Sequence, residues 1–211
     1  MIVAALVLYL VGLTVVFGLR TWLRVRRTGS SGFYGISGSP GSLRWWAGAL
    51  FVLALLLGVA APALAVAGAT RPPQQLATPG MAWLGLVIAL FGFVGVLAAQ
   101  TGMGASWRIG VQETERTDLV TGGLFAVVRN PIATAMAITQ AGMTLMVPTV
   151  PSVAALVCLL AAVHLQVRLI EEPYLAAVHG ESYHRYAATT GRFVPGVGLL
   201  RSTTAGAGAA R

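Results

Sequence analysis

The chain has no lysine, a single cysteine and only six acidic residues among its 211 positions. Charged residues make up 9% of it, against about 25% in a typical soluble domain. With 56% hydrophobic residues and a mean hydropathy of +0.79, that scarcity excludes an ordinary soluble domain. It points to an all-α integral membrane protein. The lone Cys158 allows no internal disulfide and no cysteine-based metal site. It reads as a small packing residue inside an apolar helix, and no metal site is expected. No internal repeat stands out, and no separate soluble domain.

What is present is apolar and runs in blocks. Five runs are expected to form about five transmembrane helices: Ile2 to Leu19, Trp45 to Ala67, Met81 to Ala99, Ile132 to Val147 and Val153 to Val167. The last two fall short of the usual span of about 20 residues. Pro148 and Pro151 bracket the short turn between them, which predicts a helical hairpin. Ile2 to Leu19 has no basic residues before it and four arginines soon after it (Arg20, Arg24, Arg26, Arg27), which predicts a retained anchor rather than a cleaved signal. Residues 1–80 are expected to form a two-helix N-terminal region and 81–196 a core. Beyond Leu200 the chain is low in complexity, and residues 197–211 are expected to be a disordered tail.

The charges sort to one side of this pattern. Every cation is an arginine, and all but Arg71 fall before run two, between runs three and four, or after run five. The six acids Glu113, Glu115, Asp118, Glu171, Glu172 and Glu181 fall on that same side. The positive-inside rule then places the N-terminus outside and the C-terminus in the cytosol. The Ala- and Gly-rich, lysine-free composition suits a bacterial inner membrane. The net charge of +8 is accounted for by topology and anionic headgroups, so no nucleic acid is expected as a partner. Nothing in the sequence calls for an obligate protein partner.

Ionisable residues at the ends of apolar helices are costly and therefore draw notice. On run five, His164, Arg168, Glu171 and Glu172 are spaced as one face of an α-helix. That stripe is either the wall of a pocket at the membrane boundary or a structural Arg168–Glu172 pair with His164 bonded to a neighbour. Two adjacent carboxylates are hard for one arginine to neutralise, which favours function for Glu171 and Glu172. Arg129-Asn130-Pro131 opens run four. Pro131 suits a first helical turn and Asn130 an N-cap. The same arrangement is also able to hold a carboxylate or phosphate. Gly85, Gly92, Gly95 and Gly142 read as close-packing positions between helices. Tyr183 and Tyr186 are expected to share a face of a helix that continues run five.

These segments together resemble the isoprenylcysteine carboxyl methyltransferase family of integral membrane enzymes. The resemblance rests on Trp107-Arg108-Ile109-Gly110, Leu119 to Phe125, Val128-Arg129-Asn130-Pro131, Glu171-Glu172, Gly180 to Tyr186 and Gly191-Arg192-Phe193-Val194-Pro195, over roughly residues 80 to 196. Phospholipid methyltransferases and sterol reductases share part of the pattern. The resemblance implies S-adenosylmethionine bound from the cytosol and methyl transfer to a lipophilic acceptor from the bilayer. Carried over by motif, the cofactor pocket takes Gly123, Leu124, Phe125, Val128, Arg129, Asn130, Pro131, Glu171, Glu172, Tyr183 and Tyr186, with Arg192 also facing it. The chain departs from the family at Asn130, where His is common, at Ala133, where a Tyr often follows the proline, and at His179.

A displacement at sulfonium needs mainly positioning of its two reactants. For a carboxylate acceptor, Arg129 or Arg168 is the orienting candidate. For an acceptor that carries a proton, Glu172 is the first candidate base and His164 the second. Glu171 is expected to hold the cofactor's ammonium or ribose hydroxyls. Two rivals stand beside this reading: an NADPH-dependent membrane reductase, and a non-enzymatic lipid-binding or scaffold protein.

Overall fold

In a computed structural model, the structure describes residues 1–19, 21–22, 25–26, 36, 38–103 and 119–200. Arg20, Arg24, Arg27, Arg108, the three acids Glu113, Glu115 and Asp118, the Trp107 motif and residues 201–211 lie outside the described residues, as does most of the Gly/Ser segment 28–37. All described elements are helical.

The five apolar runs are all helices. α1 (Ile2–Leu13) continues into a wider π-helical stretch, Thr14–Leu19; α2 is Leu43–Val66, α3 Pro79–Met103, α4 Pro131–Met146 and α5 Val150–Leu165. A second π-helical stretch, Gln166–Glu171, joins α5 to α6 (Glu172–His179), and α7 is Glu181–Thr189. Four segments are long and apolar enough to cross a membrane: Ile2–Leu19, Leu43–Val66, Pro79–Met103 and Val150–His179. α4 has 16 residues, a length of about 24 Å at 1.5 Å per residue.

Local chemistry sets the boundaries. The Ser42 side chain accepts from the Trp45 amide at 3.2 Å and starts α2. The hairpin expected between Pro148 and Pro151 is present. There Thr149 and Ser152 form a reciprocal cap, and the Ser152 hydroxyl also reaches the Val147 and Thr149 carbonyls at 2.7 Å. Such caps satisfy the amides that a helix start leaves unpaired.

The bundle packs through small residues. Its buried apolar set is dominated by alanine, including Ala5, Ala54, Ala61, Ala89, Ala155 and Ala162. In a bilayer there is little hydrophobic force between helices, so close backbone approach must hold them together. α3 and α4 show it most plainly. A Cβ at Gly142 would lie 2.3 Å from the Ala89 amide nitrogen, and one at Gly92 would lie 2.5 Å from that of Thr139. Val87, Phe91 and Val94 stand exposed on the outer side of α3, at 62, 71 and 62%. That apolar face suits lipid rather than water.

The helix order brings the charged ends together. Ala5, Ala65, Ala89, Met143 and Met146 cluster at one end of the bundle. Val16 and Phe17, the start of α2 from Arg44 to Phe51, Gln100 and Met103 of α3, the start of α4 and the end of α5 surround one cavity at the other end.

Two expectations change here. The α-helical stripe of His164, Arg168, Glu171 and Glu172 does not form, because Gln166–Glu171 is π-helical. A wider turn advances the register, so His164 and Arg168 are exposed while Glu172 is buried. The helix also does not run straight through the tyrosines. Gly180, at φ 52°, turns the chain between α6 and α7.

Candidate functional site

The start of α4 is pinned by the chain that follows α7. Val128 pairs with Gly191 as an isolated parallel bridge. The Arg129 amide donates to the Gly191 carbonyl at 2.8 Å, and the Asn130 amide donates to that of Arg192 at 3.1 Å. The turn that makes this possible needs Gly191, where a Cβ would lie 2.1 Å from the Val194 carbonyl oxygen. Asn130 occupies the N-cap position, yet its side chain makes no capping bond. Its amide nitrogen donates to the Arg192 carbonyl at 3.3 Å instead. Thr134 donates to the Phe193 carbonyl at 2.9 Å, one turn into α4.

Arg129 is the centre of the clasp. Its Nε and Nη2 donate to Glu172 Oε1 at 3.2 and 2.6 Å. Nη1 donates to the carbonyls of Ala187, at 3.0 Å, and Thr190, and Nη2 also donates to that of Gly198 at 3.0 Å. A guanidinium has five N–H donors, and all five are engaged. Arg192 holds the same carboxylate from the other side, with Nε 2.9 Å from Oε1 and Nη2 2.7 Å from Oε2. The Arg129 and Glu172 side chains are 1% and 8% exposed. Buried charge of this kind is tolerable only when paired and fully hydrogen-bonded. Arg129 has no donor left for a substrate carboxylate, and Glu172 has two guanidiniums where a base would need an open lone pair. The partner expected for Glu172 within its own helix, Arg168, is not the one it takes.

Tyr183 and Tyr186 close the clasp from α7, with ring centroids 6.4 Å apart. Tyr183 is 1% exposed; burial raises its phenol, and the neighbouring Glu172 carboxylate adds to this while Arg129 opposes it. The Tyr186 hydroxyl donates to the Phe125 carbonyl at 2.5 Å, which ties α7 to the short helical turn Gly123–Ala126. Burial pushes Tyr186 up to about 12, against the opposing Arg129 charge. A phenol raised in the folded state contributes stability below its unfolded value of about 10. That contribution is lost as pH rises through the folded value. Alkaline unfolding is therefore expected to set in above about pH 10. Tyr186→Phe is expected to lose about 1 kcal/mol at neutral pH and to flatten the alkaline limb of a melting-temperature profile. An unchanged profile would remove Tyr186 from the clasp.

Beside the clasp lies the cavity, with a volume of about 300 Å³, at the lower end of the usual range for ligand pockets, about 300–1,000 Å³. Of the residues expected to hold the cofactor, Phe125, Arg129, Asn130, Pro131 and Glu171 line it. Gly123, Leu124, Val128, Glu172, Tyr183 and Tyr186 do not line it; Val128, Glu172 and the two tyrosines belong to the clasp. Arg168 and His164 are exposed and line neither this cavity nor its neighbour. Ala133, where the resemblance led to a tyrosine, is on the cavity wall.

Three polar wall residues were not anticipated: Arg44, Gln100 and Gln166. Gln166 Nε2 donates to Glu171 Oε1 at 3.2 Å, a contact between residues of one π-helical stretch. The available signal was modest: Gln100 and Gln166 are the first amides to follow long apolar runs. A second cavity, of about 80 Å³, runs deeper between the helices with an almost wholly apolar lining. The two share Val16, Phe17 and Met136, so a chamber that carries polar and charged groups on a largely apolar wall lies beside an apolar cleft. Among the described residues, no three His, Cys, Asp or Glu side chains gather so as to hold a metal ion.

Residues 81–182 match the profile of the family described as phospholipid methyltransferase. No curated protein and no solved structure matches the chain. The matched segment contains nearly all of α3, then α4, α5, Glu171, Glu172 and α6, and ends at Ser182 in α7. From α3 through the start of α7, then, this chain matches the phospholipid methyltransferase family, the family that includes the isoprenylcysteine-type membrane methyltransferases.

Proposed function

We propose that this membrane protein transfers a methyl group from S-adenosylmethionine to a lipophilic acceptor, at the charged end of the bundle and on the cytosolic side. One observation carries the reading: the cavity at the motif-bearing helix ends, whose wall includes Arg44, Gln100, Arg129 and Glu171, shares a wall with an apolar cleft between the helices. A water-soluble cofactor and a lipid need just such adjoining chambers. The wall chemistry fits the cofactor. Glu171 offers a carboxylate and Arg44 a guanidinium, matching the ammonium and carboxylate of the cofactor's amino-acid end.

When bound, the cofactor supplies an electrophilic methyl on sulfonium. The chain's own residues then have three tasks. Glu171, oriented by Gln166, holds the ammonium or ribose hydroxyls. The clasp of Arg129, Glu172 and Arg192 fixes the start of α4 and the segment after α7, and so sets the shape of the chamber without touching the reacting atoms. Val16, Phe17 and Met136, which line both cavities, would form the apolar boundary between the cofactor's chamber and the acceptor's. Positioning of this kind supplies much of the rate in two-reactant transfers.

The test is thermal unfolding and calorimetry in detergent with S-adenosylhomocysteine and, separately, with NADPH. At a ligand concentration of about 100 times Kd, the folded state should gain about 2.7 kcal/mol with S-adenosylhomocysteine and nothing with NADPH. Stabilisation by NADPH alone would make the protein a reductase, and stabilisation by neither would leave a lipid-binding scaffold. Methyl-labelled cofactor with a lipid extract then identifies the acceptor.

A further inference from the structure

α3 ends in a buried amide that the bundle only half satisfies. Gln100 is 2% exposed and follows more than a dozen apolar residues. Its Nε2 donates to the Val16 carbonyl at 3.4 Å. Its Oε1 is buried and has no hydrogen-bond partner among the described residues. A buried acceptor left unpaired keeps its desolvation cost with nothing to offset it, and an apolar residue of the same length would avoid that cost. The orientation of the amide is fixed by its environment: the flipped form would set its oxygen against the Val16 carbonyl oxygen, two acceptors with no hydrogen between them.

The place of this orphan is informative. Gln100 lines the polar cavity, and the residue that anchors it, Val16, belongs to the wall shared with the apolar cleft. Val16 itself lies in the π-helical stretch Thr14–Leu19. The unpaired oxygen therefore sits near where the two chambers meet, which on the methyl-transfer reading is where donor and acceptor would approach each other. A ligand that brings an N–H or O–H to this point would complete the amide. A bare carboxylate would set oxygen against oxygen and be disfavoured.

We propose that Gln100 is a ligand-binding residue whose Oε1 accepts a hydrogen bond from an N–H or O–H donor of the bound reactants, at the junction of the polar cavity and the apolar cleft. The inference rests on the methyl-transfer reading. The donor belongs to one of two sources, the cofactor or the methyl acceptor.

The experiment compares wild type with Gln100→Met and Gln100→Glu in the full chain. It measures S-adenosylhomocysteine affinity by calorimetry, melting temperature without ligand, and methyl incorporation into a host lipid extract from labelled cofactor. Gln100→Met removes the orphan at nearly constant volume, and its melting temperature is expected to be unchanged or higher. A tenfold or greater loss of S-adenosylhomocysteine affinity in that variant assigns the donor to the cofactor. Unchanged affinity with a tenfold or greater loss of incorporation assigns it to the acceptor. Gln100→Glu keeps an accepting oxygen and, neutral in this buried place, an O–H for the Val16 carbonyl; it is expected to retain more of whichever function Gln100→Met loses. Equal affinity and equal incorporation across all three proteins would overturn the proposal, as would equal losses in both variants with a lowered melting temperature. A wild type that binds no S-adenosylhomocysteine would instead overturn the methyl-transfer reading, and this inference with it.

Discussion

Replacing Arg129 by methionine is expected to destabilise the protein by about 3–5 kcal/mol and to abolish S-adenosylhomocysteine binding. The substitution removes five hydrogen bonds and leaves Glu172 buried with only Arg192 beside it. Glu172→Gln is expected to do comparable damage for the opposite reason, because two guanidiniums then face a neutral amide. The two effects should not add. Once one partner is gone, removal of the other relieves an unpaired charge, so the double variant should lie well above the sum of the singles. Equilibrium unfolding in mixed micelles reads this directly, and limited proteolysis of the segment after α7 reports its release. Additive losses in the double variant would show that Arg129 and Glu172 act separately and that the clasp is not a unit.

The second large effect is expected at the α3–α4 seam. A Gly→Ala change inside a helix ordinarily gains about 0.5–1 kcal/mol. At Gly142 the added Cβ would lie 2.3 Å from the Ala89 amide nitrogen and 2.8 Å from its Cα. These are backbone atoms of a neighbouring helix and have no rotamer into which to move. Overpacking of this kind costs about 1–3 kcal/mol, so it outweighs the helix-propensity gain and the sign reverses. Gly142→Val should cost more than Gly142→Ala. Gly102 provides the control: it lies in α3, but its added Cβ would meet nothing within 4 Å. Gly102→Ala is therefore expected to be neutral or stabilising. Melting temperatures of the three variants decide the matter, and a Gly142→Ala protein as stable as Gly102→Ala would mean that the seam can open freely.

Much of this was legible in the sequence, and the rest was hidden for identifiable reasons. The apolar runs gave the helices, because in a bilayer length and composition leave few other options. The proline-bracketed turn at Val147–Thr149 and the packing glycines were equally plain. The site was visible as a set of residues but not as a division of labour. Arg129 and Glu172 stand out as costly charges, and sequence spacing offers Arg168 as the nearest partner. The actual partners of Glu172 are Arg129 and Arg192; Arg192 lies 20 positions further on and arrives only because Gly180 and Gly191 turn the chain back. Glu171 and Glu172 are neighbours in sequence, yet one faces the cavity and the other the clasp. Adjacent residues of any helix point about 100° apart; what α-helical periodicity does not give is which of the two meets the arginines, since that depends on a π-helical turn that leaves no clear compositional mark. Gln100 was overlooked because a single amide at the end of an apolar run looks like an ordinary helix terminus. Its significance comes from an unpaired oxygen, which only the packing around it reveals.

The π-helical stretch Gln166–Glu171 has a consequence for how relatives should be compared. A π turn is equivalent to one residue inserted into an α-helix, and one residue corresponds to a rotation of about 100° around the axis. Upstream of it, α5 keeps its own phase against the other helices; downstream, α6 keeps a different phase against the arginines. A relative that lacks the insertion would need a one-residue gap here to bring its carboxylates into register with Glu171 and Glu172. An ungapped alignment would put the wrong carboxylate in the clasp. In this chain, deletion of a single residue between Gln166 and Ile170 is expected to leave the membrane half of the helix in place while swinging Glu172 away from Arg129. The junction thus works as a phase shifter, through which lipid-facing and ligand-facing surfaces of one continuous helix can diverge independently.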